Sequence, residues 1–189
     1  MTIVTDTAAL ARFCEQQRGA SFIAVDTEFM RERTYWPILC LVQVAGPMEA
    51  AAIDALAPGI DLTPLLALMA DEGLLKVFHA ARQDVEIFFN LSGTVPTPLF
   101  DTQIAAMVCG FGDAASYETL VGKLAQVSLD KSSRFTDWSQ RPLTDRQIAY
   151  ALDDVIHLRT VYDRLQQLLA SNGRSGWFAE EMTALSEPA

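Results

Sequence analysis

Two carboxylates stand close together in an otherwise apolar segment near the start of the chain. Residues 21–28 (SFIAVDTE) predict a strand covered on both faces. Because side chains alternate along a strand, Asp26 and Glu28 share one face with Phe22 and Ala24. Like charges this close repel each other unless a cation or a proton lies between them. The pair therefore points to a bound cation or a held proton at the end of this strand.

Two further acids interrupt the apolar stripes of predicted helices. Asp84 and Asp154 have the same apolar surroundings in their helices. Each lies three positions after one apolar residue, directly before a second and four positions before a third. A buried carboxylate without a partner is costly, so two helices with the same exception suggest carboxylates aimed at one shared point. The stripes consist of Ala81, Val85 and Phe88 around Asp84, and of Ala151, Val155 and Leu158 around Asp154.

Oxygen ligands dominate this set of candidate residues. Asp26, Glu28, Asp84 and Asp154 come with no cluster of histidine or cysteine, which favours the hard cations Mg²⁺ or Mn²⁺ over zinc. Tyr150 precedes Asp154 by one helical turn, so the two side chains are neighbours. A phenol at this position could orient a water molecule beside a metal-bound carboxylate.

Each of these residues has an ordinary explanation when it is taken alone. A single aspartate beside an apolar stripe is usually a solvated edge residue, and an Asp-x-Glu at a strand end is usually a turn signal. A lone tyrosine such as Tyr150 is more often part of a core. The functional interpretation rests on the whole set occurring in this order.

The elements that must position these residues alternate between strands and helices. Strands are predicted at 21–28, 38–45, 50–53, 74–78 and 98–101. Helices are predicted at 7–17, 62–70, 80–90, after residue 101 to about 109, at 116–126, and from Thr144 onward. Thr144 and Gln147 form a capping-box pattern that opens the last long helix. Its apolar stripe runs over Ile148, Ala151, Val155, Leu158, Tyr162, Leu165 and Leu169. The order predicts an α/β fold with a mixed five-stranded sheet and helices on both faces.

Composition narrows the class of protein. At 189 residues the chain fits one domain, and no run of about 18 apolar residues predicts a membrane span. The first ten residues lack the pattern of a secretion signal. Three scattered cysteines, Cys14, Cys40 and Cys109, argue against a disulfide framework and fit a cytoplasmic protein. The formal net charge of −10 counts against a general nucleic-acid binder, but it does not exclude an enzyme that binds a few terminal nucleotides through metal ions.

The complete pattern resembles the ribonuclease D family, within the four-acid, tyrosine-type 3′→5′ exonucleases. Residues 26–29 (DTEF), 79–84 (HAARQD) and 150–154 (YALDD) resemble its three exonuclease motifs. The flanking segments 29–45 and 129–144 are similar to the same family, so the resemblance covers nearly the whole chain. Because Asp153 and Asp154 are adjacent, the spacing from Tyr150 selects Asp154 as the third-motif acid.

The resemblance implies a ribonuclease H-like fold and a two-metal reaction that releases nucleoside 5′-monophosphates from single-stranded RNA 3′ ends. In such sites two cations about 3.5–4 Å apart flank the attacking and leaving oxygens. By the same resemblance, Asp26 bridges both metals, Glu28 and Asp154 complete one site, Asp84 supports the other through water, and Tyr150 orients the nucleophilic water. Trimming of transfer-RNA precursors is a family expectation.

Substrate contacts are less well defined by the sequence. Phe29 and Met30 follow the first motif and could wedge against the terminal base, or simply pack in the core. His79 could contact substrate or be a structural histidine, and His157 is more simply structural or exposed. Trp138 is interpreted as a packing anchor. The loop cations Lys131, Arg134 and Arg141 could meet phosphates or lie in a solvated loop.

Two other functions remain open from the sequence. The first is a 3′→5′ exonuclease acting on DNA, and the second is a domain that binds nucleic acid or protein without catalysis. We expect an exonuclease domain at residues 1–175 and an extension at 176–189, the latter resembling the start of a helical RNA-binding domain.

Overall fold

The computed structural model describes residues 2–32, 34–130 and 136–186. The strands are β1 (Thr2–Val4), β2 (Phe22–Met30), β3 (Ile38–Ala45), β4 (Ala50–Asp54), β5 (Leu75–Phe78) and β6 (Leu99–Asp101). The helices are α1 (Thr7–Gln17), α2 (Thr63–Met69), α3 (Arg82–Ser92), α4 (Thr102–Val108), α5 (Tyr117–Leu120), α6 (Asp145–Ser171) and α7 (Ser175–Ser186). A π-helical turn, Val121–Ala125, continues α5. No helix in these ranges is long and apolar enough to cross a membrane.

The strands form one mixed sheet in the order β1-β4-β3-β2-β5-β6. Strands β2, β3 and β4 are antiparallel neighbours, whereas β1, β5 and β6 join in parallel. The predicted mixed sheet is therefore confirmed, but the predicted number of five strands was wrong. The additional strand is β1, which pairs Thr2 with Ala51. Three residues are too few to show the alternation of apolar and polar residues that predicts a strand. This strand is defined by its pairing with β4 and not by a pattern in its own sequence.

Helices cover both faces of the sheet, as predicted. On one face α1, α2 and α3 pack against Ile23, Val25 and Val42. On the other face α4, α5 and α6 pack against Ala24 and Val77. Helix α7 joins this second layer, where the ring of Phe178 lies 4.5 Å from the ring of Phe100. The domain boundary at residue 175 stays a prediction.

The long helix α6 begins where the sequence predicts. Thr144 and Gln147 cap each other reciprocally, and the 27 residues that follow are helical. The predicted stripe is buried at Ile148, Ala151, Val155, Leu158, Leu165 and Leu169, with Tyr162 half-buried. This stripe fixes the rotation of α6 over β2 and β3, and therefore the direction of Asp154.

The turn from β5 into α3 is held by a buried aspartate. The Asp101 carboxylate accepts hydrogen bonds from the backbone N–H groups of Ala80 (3.0 Å), Ala81 (2.8 Å) and Gln103 (2.7 Å). Ala80 has a φ of 56°, in the left-handed region that residues with a side chain rarely adopt. Asp101 thus holds the bend that directs the first turn of α3, which carries Asp84.

The segment before α6 is joined to the sheet by an ion pair. Arg141 donates to both carboxylate oxygens of Asp54, at 2.7 and 2.6 Å, and to the carbonyl oxygens of Cys40 and Trp138. Trp138 is buried, and its ring lies 6.2 Å from the ring of Tyr150. Arg141 is therefore occupied by the fold, and Trp138 has the packing role predicted for it.

Candidate active site

Three of the four predicted acids converge between β2 and α6. One carboxylate oxygen from each of Asp26, Glu28 and Asp154 lies within 4.8 Å of the other two. Asp26 and Glu28 share a face because they are two residues apart on β2. Asp154 reaches them because Ala151, Val155 and Leu158 turn its side of α6 toward the sheet.

Asp84 lies beside this three-carboxylate group and not within it. Its Oδ1 accepts a 2.5 Å hydrogen bond from the hydroxyl of Thr27, and only 6% of the residue is exposed. Thr27 alternates with Asp26 and Glu28 along β2, so its side chain faces the layer that contains α3. The hydroxyl therefore joins the fourth acid to the strand that carries the first two.

Burial, and for Glu28 and Asp84 also the charges of neighbouring acids, raises the pKa values of the site carboxylates. Burial raises the pKa of Asp26 to about 6. Burial and the charges of Asp26, Asp154 and Asp84 raise the pKa of Glu28 to about 9. Burial and the charge of Asp26 also raise the pKa of Asp84 well above its usual range, against the lowering effect of Thr27. In the metal-free protein the site therefore retains protons at neutral pH that a divalent cation would displace.

The donor set fits a hard divalent cation. The three-carboxylate group contains oxygen ligands and neither histidine nor cysteine. Oxygen-rich sites suit Mg²⁺ and Mn²⁺, whereas zinc sites usually include nitrogen or sulfur ligands. Asp26, Glu28 and Asp154 are the residues that could hold such an ion.

A cavity of about 230 Å³ opens beside the carboxylates. Tyr150 and Asp154, one helical turn apart, both contribute to its wall together with Asp26. The cavity thus gives access to the predicted tyrosine and to two of the predicted acids. Its lining residues are Asp26, His79, Ser116, Tyr117, Glu118, Leu129, Asp130, Tyr150, Asp154 and Leu158.

His79 lines this cavity while being held by the fold. Its Nδ1 lies 3.0 Å from the Thr102 hydroxyl, and its ring centroid lies 5.7 Å from that of Tyr117. Burial lowers the pKa of His79, which favours the neutral imidazole. The histidine is structurally anchored and also faces the cavity, so the two roles considered from the sequence are compatible. His157, by contrast, lies 4.0 Å from the half-exposed Asp153 carboxylate.

The other predicted substrate contacts are placed differently. Phe29 is half-buried against the core between the sheet and α1–α3, and Met30 packs on the other face against the same buried cluster as Tyr150. The alternation of β2 continues through both residues, and the register shift between Glu28 and Phe29 skips Cys40 on β3. Their packing accounts for them without substrate, so contact with a base stays a prediction. Lys131 and Arg134 lie outside the described residues.

Sequence reasoning missed Tyr117, which forms part of the cavity wall. Its hydroxyl donates a 2.9 Å hydrogen bond to the backbone carbonyl oxygen of Asp153, the residue before Asp154. Burial, followed by the charges of Asp154, Asp26 and Asp153, raises the pKa of Tyr117 far above its usual value, so the phenol stays protonated. A single aromatic residue in a four-residue helix gives no periodic signal, so only the fold reveals this position.

Comparison with known proteins agrees with this geometry. A family model described as a 3′-5′ exonuclease matches residues 1–170. The chain belongs to the 3′-5′ exonuclease family. Within that family it is 54% identical over 187 residues to ribonuclease D of Gluconacetobacter diazotrophicus, which covers 99% of this chain and 48% of that protein. The predicted resemblance to ribonuclease D is thereby confirmed.

Solved structures of this exonuclease family confirm the fold. The crystal structure of Escherichia coli RNase D, an exoribonuclease involved in structured RNA processing, matches with a TM-score of 0.93 and 39% identity, over 98% of this chain and 49% of that one. Brucella melitensis NrnC with bound Mg²⁺ matches with a TM-score of 0.83 and 27% identity, over 98% of this chain and 90% of that one. A further NrnC structure is bound to pGG. The chain spans about half the length of the ribonuclease D relatives.

Proposed function

We propose that this chain is the catalytic domain of a metal-dependent 3′→5′ exoribonuclease that releases nucleoside 5′-monophosphates. The observation that carries the proposal is the group formed by Asp26, Glu28 and Asp154, which borders a cavity also lined by Tyr150. The similarity to ribonuclease D supports RNA as the substrate.

The proposed cofactor is a pair of divalent cations, Mg²⁺ or Mn²⁺. Asp26, Glu28 and Asp154 would hold one ion, while Asp26 and Asp84 would hold the other, with Asp84 acting through water. Bound there, the ions would neutralise charge on the phosphate and lower the pKa of a water molecule. The bound Mg²⁺ of the related NrnC supports the choice of a hard divalent cation.

The protein's own side chains position the reactants. Tyr150 projects from α6 one turn before Asp154, where its hydroxyl would hold and orient the attacking water. Thr27 fixes the rotamer of Asp84 through its hydrogen bond. His79 and Tyr117 form a packed wall that would limit how the terminal nucleotide lies in the cavity.

The proposed substrate is a single-stranded RNA 3′ end, with trimming of transfer-RNA precursors as one such reaction. We further propose a catalytic domain at residues 1–175 and a cytoplasmic location. The three cysteines carry free thiols, which supports a reducing compartment. The net charge of −10 supports weak affinity for long RNA by this chain alone.

The test is a gel time course on 5′-labelled single-stranded RNA with an unstructured 3′ end, run with Mg²⁺, Mn²⁺ or EDTA. Asp154→Asn is compared with Asp153→Asn, a matched control because the Asp153 side chain is 47% exposed and lies beside His157. We expect Asp154→Asn to slow the reaction at least about 100-fold, as removal of one preorganised electrostatic group does, and Asp153→Asn to remain active. Asp26→Ala should lose more activity than Tyr150→Phe, because a metal-bound water can still ionise without the phenol.

The outcomes separate the proposed function from its alternatives. A ladder that shortens from the 3′ end one nucleotide at a time, and disappears in EDTA and in Asp154→Asn, supports the proposal. A matching DNA oligonucleotide that is degraded faster than RNA would make the chain a DNA exonuclease. Folded protein that binds the RNA but shortens neither strand with either metal would support a non-catalytic binding domain.

A further inference from the structure

A fully buried glutamine on β3 has no visible hydrogen-bond partner. Gln43 has 0% exposure, and both its Oε1 and its Nε2 lack a partner in the described parts of the chain. Arg159 Nε is the one other buried side-chain nitrogen or oxygen in this condition within those parts. An unsatisfied buried polar group costs about 1–3 kcal/mol, so a carboxamide with both ends unpaired calls for an explanation.

The sheet register places this carboxamide next to the candidate metal site. Gln43 is the direct partner of Asp26 in the antiparallel β2–β3 pair. Directly opposite residues in such a pair point to the same face with their Cβ atoms about 4.5–5.5 Å apart. The two polar side chains can therefore reach each other across a single strand spacing.

The other directly adjacent sheet neighbours of Gln43 on this face are apolar. On its other side it pairs with Ala52 of β4, and its same-face neighbours along β3 are Leu41 and Ala45. All three are buried. Asp26 is thus the polar side chain directly opposite the carboxamide. Glu28 and Asp54 lie on the diagonals of the same face, and Asp54 is already bound by Arg141.

We propose that Gln43 is a positioning residue for the metal site, whose Nε2 donates a hydrogen bond to the Asp26 carboxylate when that carboxylate binds a cation. The inference rests on the metal site of the proposed function. Carboxylates that bind metals are themselves oriented by hydrogen bonds from a surrounding layer of residues. A carboxamide suits this task because it donates a hydrogen bond without adding a charge that would compete with the cation.

Gln17 provides a matched comparison within the same chain. It is also a buried glutamine, but its Nε2 donates to the Phe13 carbonyl oxygen at 3.2 Å, and its side chain lies against Gly46. Its contacts lie at the end of α1 and are satisfied without a cation. Gln17 therefore has a structural role, whereas Gln43 has a free donor beside a carboxylate.

The two glutamines should respond in opposite ways to replacement by methionine. Gln43→Met removes an unpaired buried amide at similar volume, so the metal-free protein should be as stable as wild type or more stable. The same change should weaken Mn²⁺ binding by 10- to 100-fold, the range typical when a residue that orients a metal ligand is lost. Gln17→Met should lower the melting temperature and leave the Mn²⁺ affinity unchanged.

The experiment titrates Mn²⁺ into metal-free protein without RNA by isothermal titration calorimetry, and records thermal unfolding in EDTA. Wild type, Asp26→Ala, Gln43→Met and Gln17→Met are compared. Gln43→Val, whose volume is close to that of glutamine and below that of methionine, guards against overpacking by methionine. Weaker Mn²⁺ binding in both Gln43 variants, without loss of stability in EDTA, supports the proposal.

The remaining outcomes separate the two hypotheses. If wild type and Asp26→Ala bind Mn²⁺ equally, the metal site itself is wrong. If Asp26→Ala loses Mn²⁺ while Gln43→Met binds it like wild type, the metal site stands and the role of Gln43 is refuted. If both Gln43 variants are destabilised in EDTA, the carboxamide supports the fold directly, and the proposal is again refuted.

Discussion

Replacing Arg141 by methionine should destabilise the protein without changing its KM for RNA. The guanidinium makes two short hydrogen bonds to Asp54, whose side chain is 7% exposed. It makes three more to the carbonyl oxygens of Cys40, Trp138 and Gln140. Breaking a buried ion pair from one side costs about 3–5 kcal/mol, because the other charge stays buried and unpaired. Arg141 is 24% exposed, and Asp54 keeps a hydrogen bond from the Leu56 N–H, so we expect about 3 kcal/mol, at the lower end of the range.

Urea unfolding measures this loss directly. With a slope of about 2 kcal/mol/M, a loss of about 3 kcal/mol lowers the midpoint by about 1.5 M. Adding Asp54→Leu to Arg141→Met should recover part of the loss, since the unpaired carboxylate is then removed. The KM for RNA should stay within about twofold of wild type under native conditions, as expected for a residue that contacts no substrate. A variant with unchanged stability and a clearly higher KM would refute this reasoning and make Arg141 a phosphate-binding residue.

Three further predictions concern the site and its supports. Thr27→Val should cost about 1–3 kcal/mol and slow the reaction, because buried Asp84 loses its 2.5 Å hydrogen bond; urea unfolding and the RNA time course measure the two effects. Ala80→Gly should raise stability by about 0.5–1 kcal/mol, because glycine tolerates the φ of 56° that strains alanine; unchanged or lower thermal stability would contradict this. In EDTA the stability contributed by Asp26 should fall as pH rises from about 4 to 6, because burial raises its pKa from 3.8 to about 6 and the folded state holds a proton that the unfolded chain releases. Asp26→Asn should reduce this slope in thermal melts recorded from pH 4 to 7, while Glu28 and Asp84 contribute the remainder, and Mn²⁺ in place of EDTA should offset the loss in wild type.

Local sequence patterns were sufficient to predict the elements in which a periodic pattern continues over many residues. The stripe of α6 and the capping pair of Thr144 and Gln147 predict the helix, its start and the direction of Asp154. Alternation along β2 predicts that Asp26 and Glu28 share a face. These are properties of neighbouring residues in one element, and therefore they can be read without the rest of the chain.

The features that sequence reasoning missed depend on pairing between distant segments. Strand β1 exists because it pairs with β4, 49 positions away at Thr2 and Ala51. The partners of Thr27 and Arg141 are 57 and 87 positions away, so no local pattern distinguishes them from solvated residues. The same reason hides the position of Gln43 beside Asp26, which the strand register alone reveals.

The crowding of carboxylates around Glu28 sets stability against activity. Burial and three neighbouring acids raise the pKa of Glu28 to about 9, so at neutral pH and without a cation the folded chain takes up a proton there, which lowers its stability. Glu28→Gln keeps the shape of the side chain and needs no proton to be neutral, so it should yield an inactive protein that is more stable than the native one when metals are absent. Such a variant would suit the capture of an uncleaved RNA complex, because the substitution that abolishes turnover also removes this loss of stability.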